Sequence, residues 1–279
     1  MTDKDIKIAV LLACFNRKGQ TIACLHSFYK QTNQLALSTS TDIYLVDDGT
    51  DGTFEAVKHE YPDVTLLRGD GNLYWNGGMR LAFETALKGD YDYYLWLNDD
   101  LTMYPDALDR MFGCPNISLN SIMVGSTCDP ITKNRTYGGF NLGSRKWLPL
   151  AFRPVYPLES KLTSCDTMNG NCVLIPRSVV KILGNLSSKY THSLGDFDYG
   201  LRARMNNIKC FVVSGYIGEC KKNAILDCFN SDIAIFNRFK YLHSPKGLPP
   251  KEWVVFVKRH GSLPWPVYYI KLLVRTLFP

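Results

Sequence analysis

The chain has 279 residues, of which 46% are hydrophobic and 21% charged, as is ordinary for a globular protein with a hydrophobic core. Its nine cysteines include no Cys-x-x-Cys pair, which argues against a disulfide framework and a structural zinc site and favours a reducing compartment. The net charge of +6 belongs to the C-terminal part, because eight Lys or Arg residues from Arg238 onwards accompany one acidic residue, Glu252.

No targeting or membrane-spanning segment is predicted. The first residues are polar and include Asp3 and Asp5, unlike a secretory signal. No stretch of about 18 uncharged apolar residues occurs, so no transmembrane helix is expected. The expected location is therefore the cytoplasm.

The N-terminal part alternates between predicted strands and helices. Apolar runs predict strands at 6–13, 42–46, 64–67 and 93–97, and amphipathic patterns predict helices at 19–30, after Thr53 and at 76–87. Thr53 is expected to cap its helix. This alternation is typical of an α/β fold with a single open, mostly parallel sheet and helices on both faces.

The pattern is looser after residue 100. Further strands are predicted at 121–125, 172–175 and 209–213, helices at 105–112, 176–183 and 196–206, and irregular loops or a hairpin at 131–163. Residues 1–222 are predicted to form the α/β domain. Residues 223–279 are predicted to be a helical extension rich in basic and aromatic residues.

The apolar strand at 93–97 ends in Asn98, Asp99 and Asp100. The carboxyl ends of such strands open into the crevice where α/β sheets bind ligands. Because adjacent carboxylates repel, the pair suggests a cation between them and an anionic ligand, and Mg²⁺ or Mn²⁺ suits oxygen donors. The alternative is a plain turn before the next helix.

Two more strand ends carry polar groups, Asn16 and Arg17 after the first strand and Asp47 and Asp48 after the second. In one parallel sheet these groups would lie close to the carboxylates. The chain has no Gly-x-Gly-x-x-Gly after the first strand, no Gly-x-x-x-x-Gly-Lys-Ser/Thr and no Gly-x-Ser-x-Gly. Their absence argues against dinucleotide-binding, P-loop and serine hydrolase sites.

Four motifs in this order resemble those of family 2 glycosyltransferases, over roughly residues 6–222. They are Leu-Ala-Cys-Phe-Asn-Arg at 12–17, Val-Asp-Asp-Gly-Thr-Asp-Gly-Thr at 46–53, Leu-Asn-Asp-Asp at 97–100 and Gly-Asp-Phe-Asp-Tyr-Gly-Leu-Arg at 195–202. The resemblance implies the nucleotide-sugar-binding fold of the GT-A type. Within the family it leans towards bacterial rhamnosyl- or galactosyl-like transferases, and so implies a TDP- or UDP-linked sugar donor.

The resemblance also implies residue roles. Asp100 would bind the metal, and Asn98 and Asp99 would contact the ribose, the phosphates or metal-bound water. Asp196 would be the general base that takes the proton of the acceptor hydroxyl; the alternative is an acid favoured at a helix N-terminus. Asp198, four residues before Arg202, is expected to form a structural helical ion pair instead.

The donor site implied by the resemblance also includes the glycine-rich loop at 68–78, whose glycines permit close backbone approach to a ligand. The expected donor-binding residues are Asn16, Arg17, Asp47, Asp48, Arg68, Asn72, Trp75, Gly78, Asn98, Asp99, Asn169 and Gly170. One of Asp47 and Asp48 would accept from the base N3–H, with an Asx turn as the alternative. For Asn169 and Gly170 the alternative is a plain turn. Trp147 is a candidate for stacking on the acceptor.

The chain departs from the family pattern at two places. Gly195 stands where an acid is expected before the base, and no histidine follows the strand at 209–213, where Glu219 and Cys220 stand instead. The third protein ligand of the metal is therefore left open. His192 lies nearby in sequence and is expected to be a surface or helix-entry residue.

The C-terminal extension interleaves Trp, Tyr and Phe with Lys and Arg at 253–259 and 265–275. This pattern predicts a segment that lies on an anionic membrane surface, at the inner face of the plasma membrane. It suits a saccharide acceptor held on a polyprenyl lipid. The alternative is packing on the body or a contact between copies in a homo-oligomer. No nucleic-acid partner is expected, because no recognition motif accompanies the charge.

These expectations combine into an inverting, metal-dependent glycosyltransferase of surface polysaccharide synthesis, such as O-antigen or capsule. One alternative is a nucleotidyltransferase that makes an activated sugar. It would need a basic, glycine-rich loop after the first strand, which residues 14–19 resemble poorly. A second alternative is a sugar-binding or scaffold relative without activity, which Gly195 makes conceivable.

Overall fold

The structure is a computed structural model that describes residues 5–32, 38–113, 120–143 and 150–279. Trp147, predicted to contact the acceptor, lies outside these residues. The strands are, in chain order, β1 (Ile6–Cys14), β2 (Thr39–Asp47), β3 (Thr65–Arg68), β4 (Tyr93–Leu97), β5 (Thr102–Met103), β6 (Ser121–Cys128), β7 (Gly139–Leu142), β8 (Phe152–Pro154), β9 (Thr163–Cys165), β10 (Thr167–Met168), β11 (Cys172–Pro176) and β12 (Lys209–Glu219). The α-helices are α1 (Lys18–Thr32), α2 (Thr53–Glu60), α3 (Tyr74–Ala86), α4 (Ala107–Phe112), α5 (Arg177–Leu183), α6 (Gly195–Met205), α7 (Ile235–Leu242), α8 (Pro250–His260) and α9 (Trp265–Leu277).

One large sheet forms the centre of the described part of the chain, with the strand order β3-β2-β1-β4-β11-β6-β12-β5 and β9 paired to β12. The strands β3, β2, β1 and β4 are parallel to one another. β11 runs antiparallel to both of its neighbours, β4 and β6, while β12 is parallel to β6. The predicted open α/β sheet is confirmed, and it is mixed because β11 runs antiparallel to its neighbours and β5 and β9 run antiparallel to β12.

Burial on both faces explains why β4 has no polar residue. All five of its residues are buried. Leu95 and Leu97 pack with α1, α2 and α4 on one face, whereas Tyr94 and Trp96 pack with α3, α5 and α6 on the other. Alternate residues of a strand point to opposite faces, so both faces of β4 need apolar side chains. Each such burial stabilises the fold by about 1.5–3 kcal/mol.

Two local predictions have different outcomes. The segment 131–163, predicted as irregular loops or a hairpin, contains the antiparallel pair of β7 and β8, so the hairpin is confirmed. β10, which follows the segment, pairs with β7 and completes a three-stranded sheet. The predicted capping role of Thr53 is wrong, because Thr53 is the first residue of α2. Asp51 accepts hydrogen bonds from the Thr53 N–H at 3.2 Å and from its Oγ1 at 2.5 Å. The residue before α2 is Gly52, whose φ of 82° suits glycine.

The C-terminal extension consists of a short 3₁₀ helix (Asp227–Phe229) and α7, α8 and α9. One side of it packs on the α/β body, where Phe256, Val257 and Tyr268 form a buried cluster with Tyr190 and Leu201. Packing on the body is therefore confirmed for that side. None of the helices in the described ranges is long and apolar enough to cross a membrane.

Candidate active site

The carboxyl ends of β1 and β4 and the turn after β2 open into one cavity of about 530 Å³. Its lining includes the residues Cys14, Arg17, Asp48, Trp75, Asn98, Asp99, Asp100, Asn169, Gly170, His192, Asp196 and Lys246. The prediction that three polar strand ends meet is confirmed, because parallel neighbouring strands end at the same edge of the sheet. Asn223, Leu226, Lys246 and Leu248 of the C-terminal extension also line the cavity.

Arg17 joins the two carboxylates after β4. Its Nη1 donates to Asp100 Oδ2 at 2.8 Å and to Asp99 Oδ1 at 3.2 Å. Burial raises the pKa of Asp99 to about 7, and Asp100 also raises it, while Arg17 lowers it. Asp100 Oδ1 accepts a hydrogen bond from Cys220 Sγ at 3.3 Å. Burial keeps the pKa of the Cys220 thiol far above its ordinary value, so the thiol is protonated and donates to Asp100.

The donor set after β4 fits a magnesium or manganese ion. Asp99 and Asp100 supply hard carboxylate oxygens, and Asp99 Oδ2 is buried without a hydrogen-bond partner in the described residues. Within those residues, no three His, Cys, Asp or Glu side chains form a complete ligand set. Mg²⁺ commonly takes only one or two carboxylates and completes its shell with water and substrate phosphates, so two carboxylates meet its needs.

Asn98 and Gly170 hold the indole of Trp75 in the cavity wall. Asn98 Oδ1 accepts from Trp75 Nε1 at 2.8 Å, and Asn98 Nδ2 donates to Asn171 Oδ1 at 3.2 Å. A Cβ on Gly170 would overlap the Trp75 ring. Glycine at 170 is therefore required by this close packing. The Asn98 side chain is held between protein groups, beside the carboxylates.

The structure distinguishes Asp47 from Asp48. Asp48 lines the cavity and accepts backbone N–H groups from the loop before and at the start of α3: Gly71 at 2.7 Å, Leu73 at 2.9 Å and Tyr74 at 3.1 Å. Asp47 instead accepts from the N–H groups of Gly49 at 2.9 Å and Phe54 at 3.0 Å. The contact with Gly49 is the Asx turn expected as the alternative. Asp48 therefore orders the loop at the cavity, and Asp47 orders the turn behind it.

Asp196 faces the cavity from the first turn of α6. Its Oδ2 accepts the Gly170 N–H at 3.0 Å, and its Oδ1 accepts the Phe197 N–H at 2.8 Å. Burial raises the pKa of Asp196 to about 6, although these hydrogen bonds and that of Asn169 lower it. A carboxylate with this pKa is ionised at neutral pH and still basic enough to accept a proton.

His192 lies in the loop that enters α6, as expected for a helix-entry residue, and its place in the cavity lining was not predicted. It lines the cavity rather than the surface, and its Nδ1 accepts the Trp75 N–H at 3.4 Å. Burial lowers its pKa to about 4, and the positive charges of Lys246 and Arg17 lower it further. The imidazole is therefore neutral at physiological pH. Its only sequence signal was its place four residues before Asp196.

Gly195, the departure from the family pattern, has a packing reason. A Cβ on Gly195 would overlap Asn76 Oδ1. Asn76 is buried, and its Nδ2 donates to the carbonyls of Tyr190 at 2.6 Å and Ser187 at 3.0 Å. The amide therefore occupies the space that an acidic side chain would need.

Some predicted donor-binding residues lie outside the cavity lining in the described structure. They are Asn16, Asp47, Arg68, Asn72 and Gly78. Asn16 Oδ1 accepts the Thr50 N–H at 2.8 Å and so joins the turns after β1 and β2. Arg68 forms an ion pair with Glu55 and lies over the ring of Phe54.

The contacts of Asn72 and Gly78 are also local. The Asn72 N–H donates to Asp70 Oδ1 at 2.9 Å, which shapes the exposed loop. A Cβ on Gly78 would lie 2.8 Å from the Cβ of Ala13, so glycine lets α3 approach β1 closely. The family resemblance predicted that Asn72 and Gly78 bind the donor, because they lie in the same loop and helix start as Trp75.

The open α/β sheet thus places the carboxylate pair after β4 and the carboxylate of Asp196, in the first turn of α6, on one cavity. Residues 9–113 match the family model described as Glycosyl transferase family 2. The predicted resemblance to family 2 glycosyltransferases is therefore confirmed over residues 9–113.

Solved structures share this fold. The mannosyltransferase PcManGT from Pyrobaculum calidifontis, solved with GDP-Man and Mn²⁺, is 14% identical with a TM-score of 0.56, over 98% of this chain and 86% of that one. Residues 1–349 of TarS from S. aureus are 12% identical with a TM-score of 0.54, over 98% of this chain and 71% of that one. TarS 1–349 has also been solved in complex with UDP-GlcNAc. No curated protein sequence matches the chain.

Proposed function

We propose that the protein is an inverting, divalent-metal-dependent glycosyltransferase of bacterial surface polysaccharide synthesis, such as that of O-antigen or capsule. Its donor would be a TDP- or UDP-linked sugar, and its acceptor a saccharide held on a polyprenyl lipid. The observation that carries the proposal is the meeting of Asp99 and Asp100 with Asp196 on one cavity. The nucleotide sugars and the Mn²⁺ bound by the structural neighbours support it.

The donor half of the proposal concerns the carboxylates after β4. Asp100, with Asp99 beside it, would hold Mg²⁺ or Mn²⁺, and the bound ion would neutralise the charge of the leaving nucleoside diphosphate. Arg17 contacts both carboxylates and supplies a positive charge from the protein at the same place. Trp75, held by Asn98, forms a flat apolar wall in the same cavity.

The acceptor half concerns Asp196. Its carboxylate takes the proton of the acceptor hydroxyl while that oxygen forms a bond to the anomeric carbon of the donor sugar. The bond from the anomeric carbon to the phosphate oxygen breaks, and the nucleoside diphosphate leaves with the electron pair. Attack from the side opposite the leaving group inverts the anomeric configuration. Because burial raises the pKa of Asp196 to about 6, the carboxylate is a stronger base than an exposed aspartate.

The proposed membrane contact rests on the outward face of α9. Tyr268, Leu272 and Thr276 face the protein and are buried. The other side carries exposed apolar residues at helical spacing: Val267, Ile270, Val274 and Leu277. Lys271, also on the exposed side, lies beside this stripe. An apolar stripe flanked by basic residues suits the surface of an anionic bilayer, so the proposed place is the inner face of the plasma membrane.

A panel of nucleotide sugars tests the proposed activity. UDP-, TDP- and GDP-linked sugars are first screened by thermal shift with Mn²⁺ and with a chelator. Those that stabilise the protein are then incubated with polyprenyl-diphosphate-linked saccharides, and the product is analysed by mass spectrometry and its anomeric configuration by NMR. We expect metal-dependent stabilisation by UDP- or TDP-sugars and an inverted product. Stabilisation that persists in chelator, or a retained configuration, would contradict the proposal.

A further inference from the structure

The C-terminal extension holds the loop that leads into α6. Glu252 of α8 accepts two hydrogen bonds from Thr191, from its N–H at 3.1 Å and from its Oγ1 at 2.7 Å. Ser193 Oγ donates to the carbonyl of Gly247 at 3.3 Å. The loop is therefore fixed to the extension on either side of His192. These contacts span about 60 residues of sequence and do not arise from local structure.

The extension also holds α6 itself. Asp198 is fully buried in the first turn of α6 and accepts hydrogen bonds from Arg259 Nη1 and His260 Nε2, both at 2.8 Å. It also accepts from Arg202 Nε at 2.9 Å, which confirms the predicted helical pair, and from Tyr190 Oη at 3.1 Å. Burial by itself would raise the pKa of Asp198, but these partners hold it below its ordinary value. The carboxylate is thus a charged anchor between α6 and α8.

The segment between the two anchors carries cavity residues. His192, next to Thr191, accepts the Trp75 N–H. Asp196, two residues before Asp198, accepts the Gly170 N–H on the opposite wall. One end of this segment is set by Glu252, and the other by the Asp198 cluster. Reactive groups must be held to within a fraction of an ångström, since a misplacement of about 1 Å can lower a rate about 100-fold.

We infer that α8 of the C-terminal extension is a positioning element of the active site, in which Glu252 and Arg259 set the orientation of the segment 191–198 and of Asp196. This inference rests on the proposed role of Asp196 as the base. It makes the extension part of the catalytic unit, in addition to any contact with a membrane. Glu252 and Arg259 are positioning residues and do not themselves contact the reacting atoms.

Three variants of α8 test the contact with Thr191. Glu252→Ala removes both hydrogen bonds, Glu252→Gln keeps a carbonyl acceptor, and Lys251→Ala is a matched control at an exposed neighbouring position. For Glu252→Ala we expect a loss of about tenfold in kcat with the KM for the donor changed less than threefold. Amide hydrogen exchange in the segment 191–198 should become faster. Glu252→Gln should restore most of the rate, and Lys251→Ala should leave rate and exchange unchanged.

Two variants of Arg259 test the contact between α8 and Asp198. Arg259→Gln should lower kcat and speed exchange in α6, whereas Arg259→Lys, which keeps a positive charge near Asp198, should recover part of both. Faster exchange without a loss of kcat in either series would overturn the positioning role. Unchanged exchange in Glu252→Ala would overturn it whatever the rate. Failure of the proposed function is seen separately, as absence of transfer by the unmodified protein, and the exchange measurements then decide the positioning contacts alone.

Discussion

Nη1 of Arg17 lies 2.8 Å from Oδ2 of Asp100, so a cation from the end of β1 meets a carboxylate from the end of β4. The same nitrogen lies 3.2 Å from Asp99 Oδ1. Two adjacent carboxylates in a partly buried place repel each other, and one guanidinium offsets only part of that repulsion. The raised pKa of Asp99 agrees with this incomplete compensation. The negative charge that Arg17 leaves uncompensated would favour the binding of a further cation at this site.

Replacement of Asp100 tests the metal site. In Asp100→Ala we expect the Mn²⁺-dependent affinity for the nucleotide-sugar donor to fall by at least tenfold, because a proposed ligand of the ion is lost. Glu60→Gln, at an exposed acidic residue at the end of α2, is the control and should bind as the unmodified protein does. Titration calorimetry with and without Mn²⁺ measures the effect. Unchanged metal-dependent binding would remove Asp100 from the site.

Replacement of Asp196 tests the base. Asp196→Asn keeps the size of the side chain but cannot accept a proton, so transfer should fall by about 100-fold to 10,000-fold. Donor binding should stay within threefold, because Asp196 is proposed to contact the acceptor hydroxyl and an asparagine still offers an oxygen to the Gly170 N–H. Steady-state transfer and donor titration are measured on the same preparation. Turnover near that of the unmodified protein would exclude Asp196 as the base.

The pH dependence of kcat gives an independent check on Asp196. Its pKa is raised to about 6 by burial, so the carboxylate is ionised above that pH and protonated below it. We expect kcat to be level above about pH 6 and to fall about tenfold per pH unit below it. The fall should be absent from the residual activity of Asp196→Asn. A level profile down to pH 4.5 in the unmodified protein would show that another group sets the rate.

Gly195 is expected to tolerate no side chain while Asn76 is present. In Gly195→Ala the new Cβ would overlap Asn76 Oδ1, so the free energy of unfolding should fall by about 1–3 kcal/mol. Combining it with Asn76→Ala should cost less than the sum of the two single changes, because the overlap is removed. Gly19→Ala is the control, since a Cβ there meets nothing within 4 Å. Urea unfolding measures all four proteins, and strict additivity would contradict the proposed overlap.

Acidic residues introduced on the outward face of α9 test the proposed membrane contact. Ile270→Glu and Val274→Glu should abolish binding to vesicles that contain anionic lipid, because a carboxylate would enter the bilayer interface. Ile131→Glu is the control, at a residue 82% exposed outside the extension. Vesicle sedimentation gives the readout. If the unmodified protein does not bind vesicles but light scattering shows a dimer that the α9 variants lose, the face is a contact between copies.

Deleting residues 245–279 is a poor test of membrane binding. The deletion would remove Lys246, which lines the cavity, together with Glu252 and Arg259, which contact the segment around Asp196. Loss of activity in such a protein would report the damaged site and not the lost membrane contact. Point changes on α9 leave those residues in place, so they separate the two roles.

The sequence by itself determined the main strands of the large sheet and the polar residues at their ends. The uninterrupted apolar run of β4 could only be buried on both faces, and its abrupt end in Asn98, Asp99 and Asp100 marked the edge of the sheet. The same reasoning located Arg17 and the pair Asp47 and Asp48, because each follows a strand that the apolar pattern identifies, whereas Asp196 was chosen by the resemblance to family 2 glycosyltransferases. Local pattern is enough for such residues, since strand direction and side-chain alternation are set within a few residues.

Only the tertiary structure decided which side chains share the cavity. It separated Asp48 from Asp47, brought His192 in, left Arg68 outside and placed Lys246 of the extension in the wall. It also reversed β11 between β4 and β6. These outcomes depend on contacts between segments far apart in sequence, such as Glu252 with Thr191, which no local period encodes. The packing of distant segments and the pairing of buried charges determine which residues line the cavity. For this reason the C-terminal extension contributes to the site.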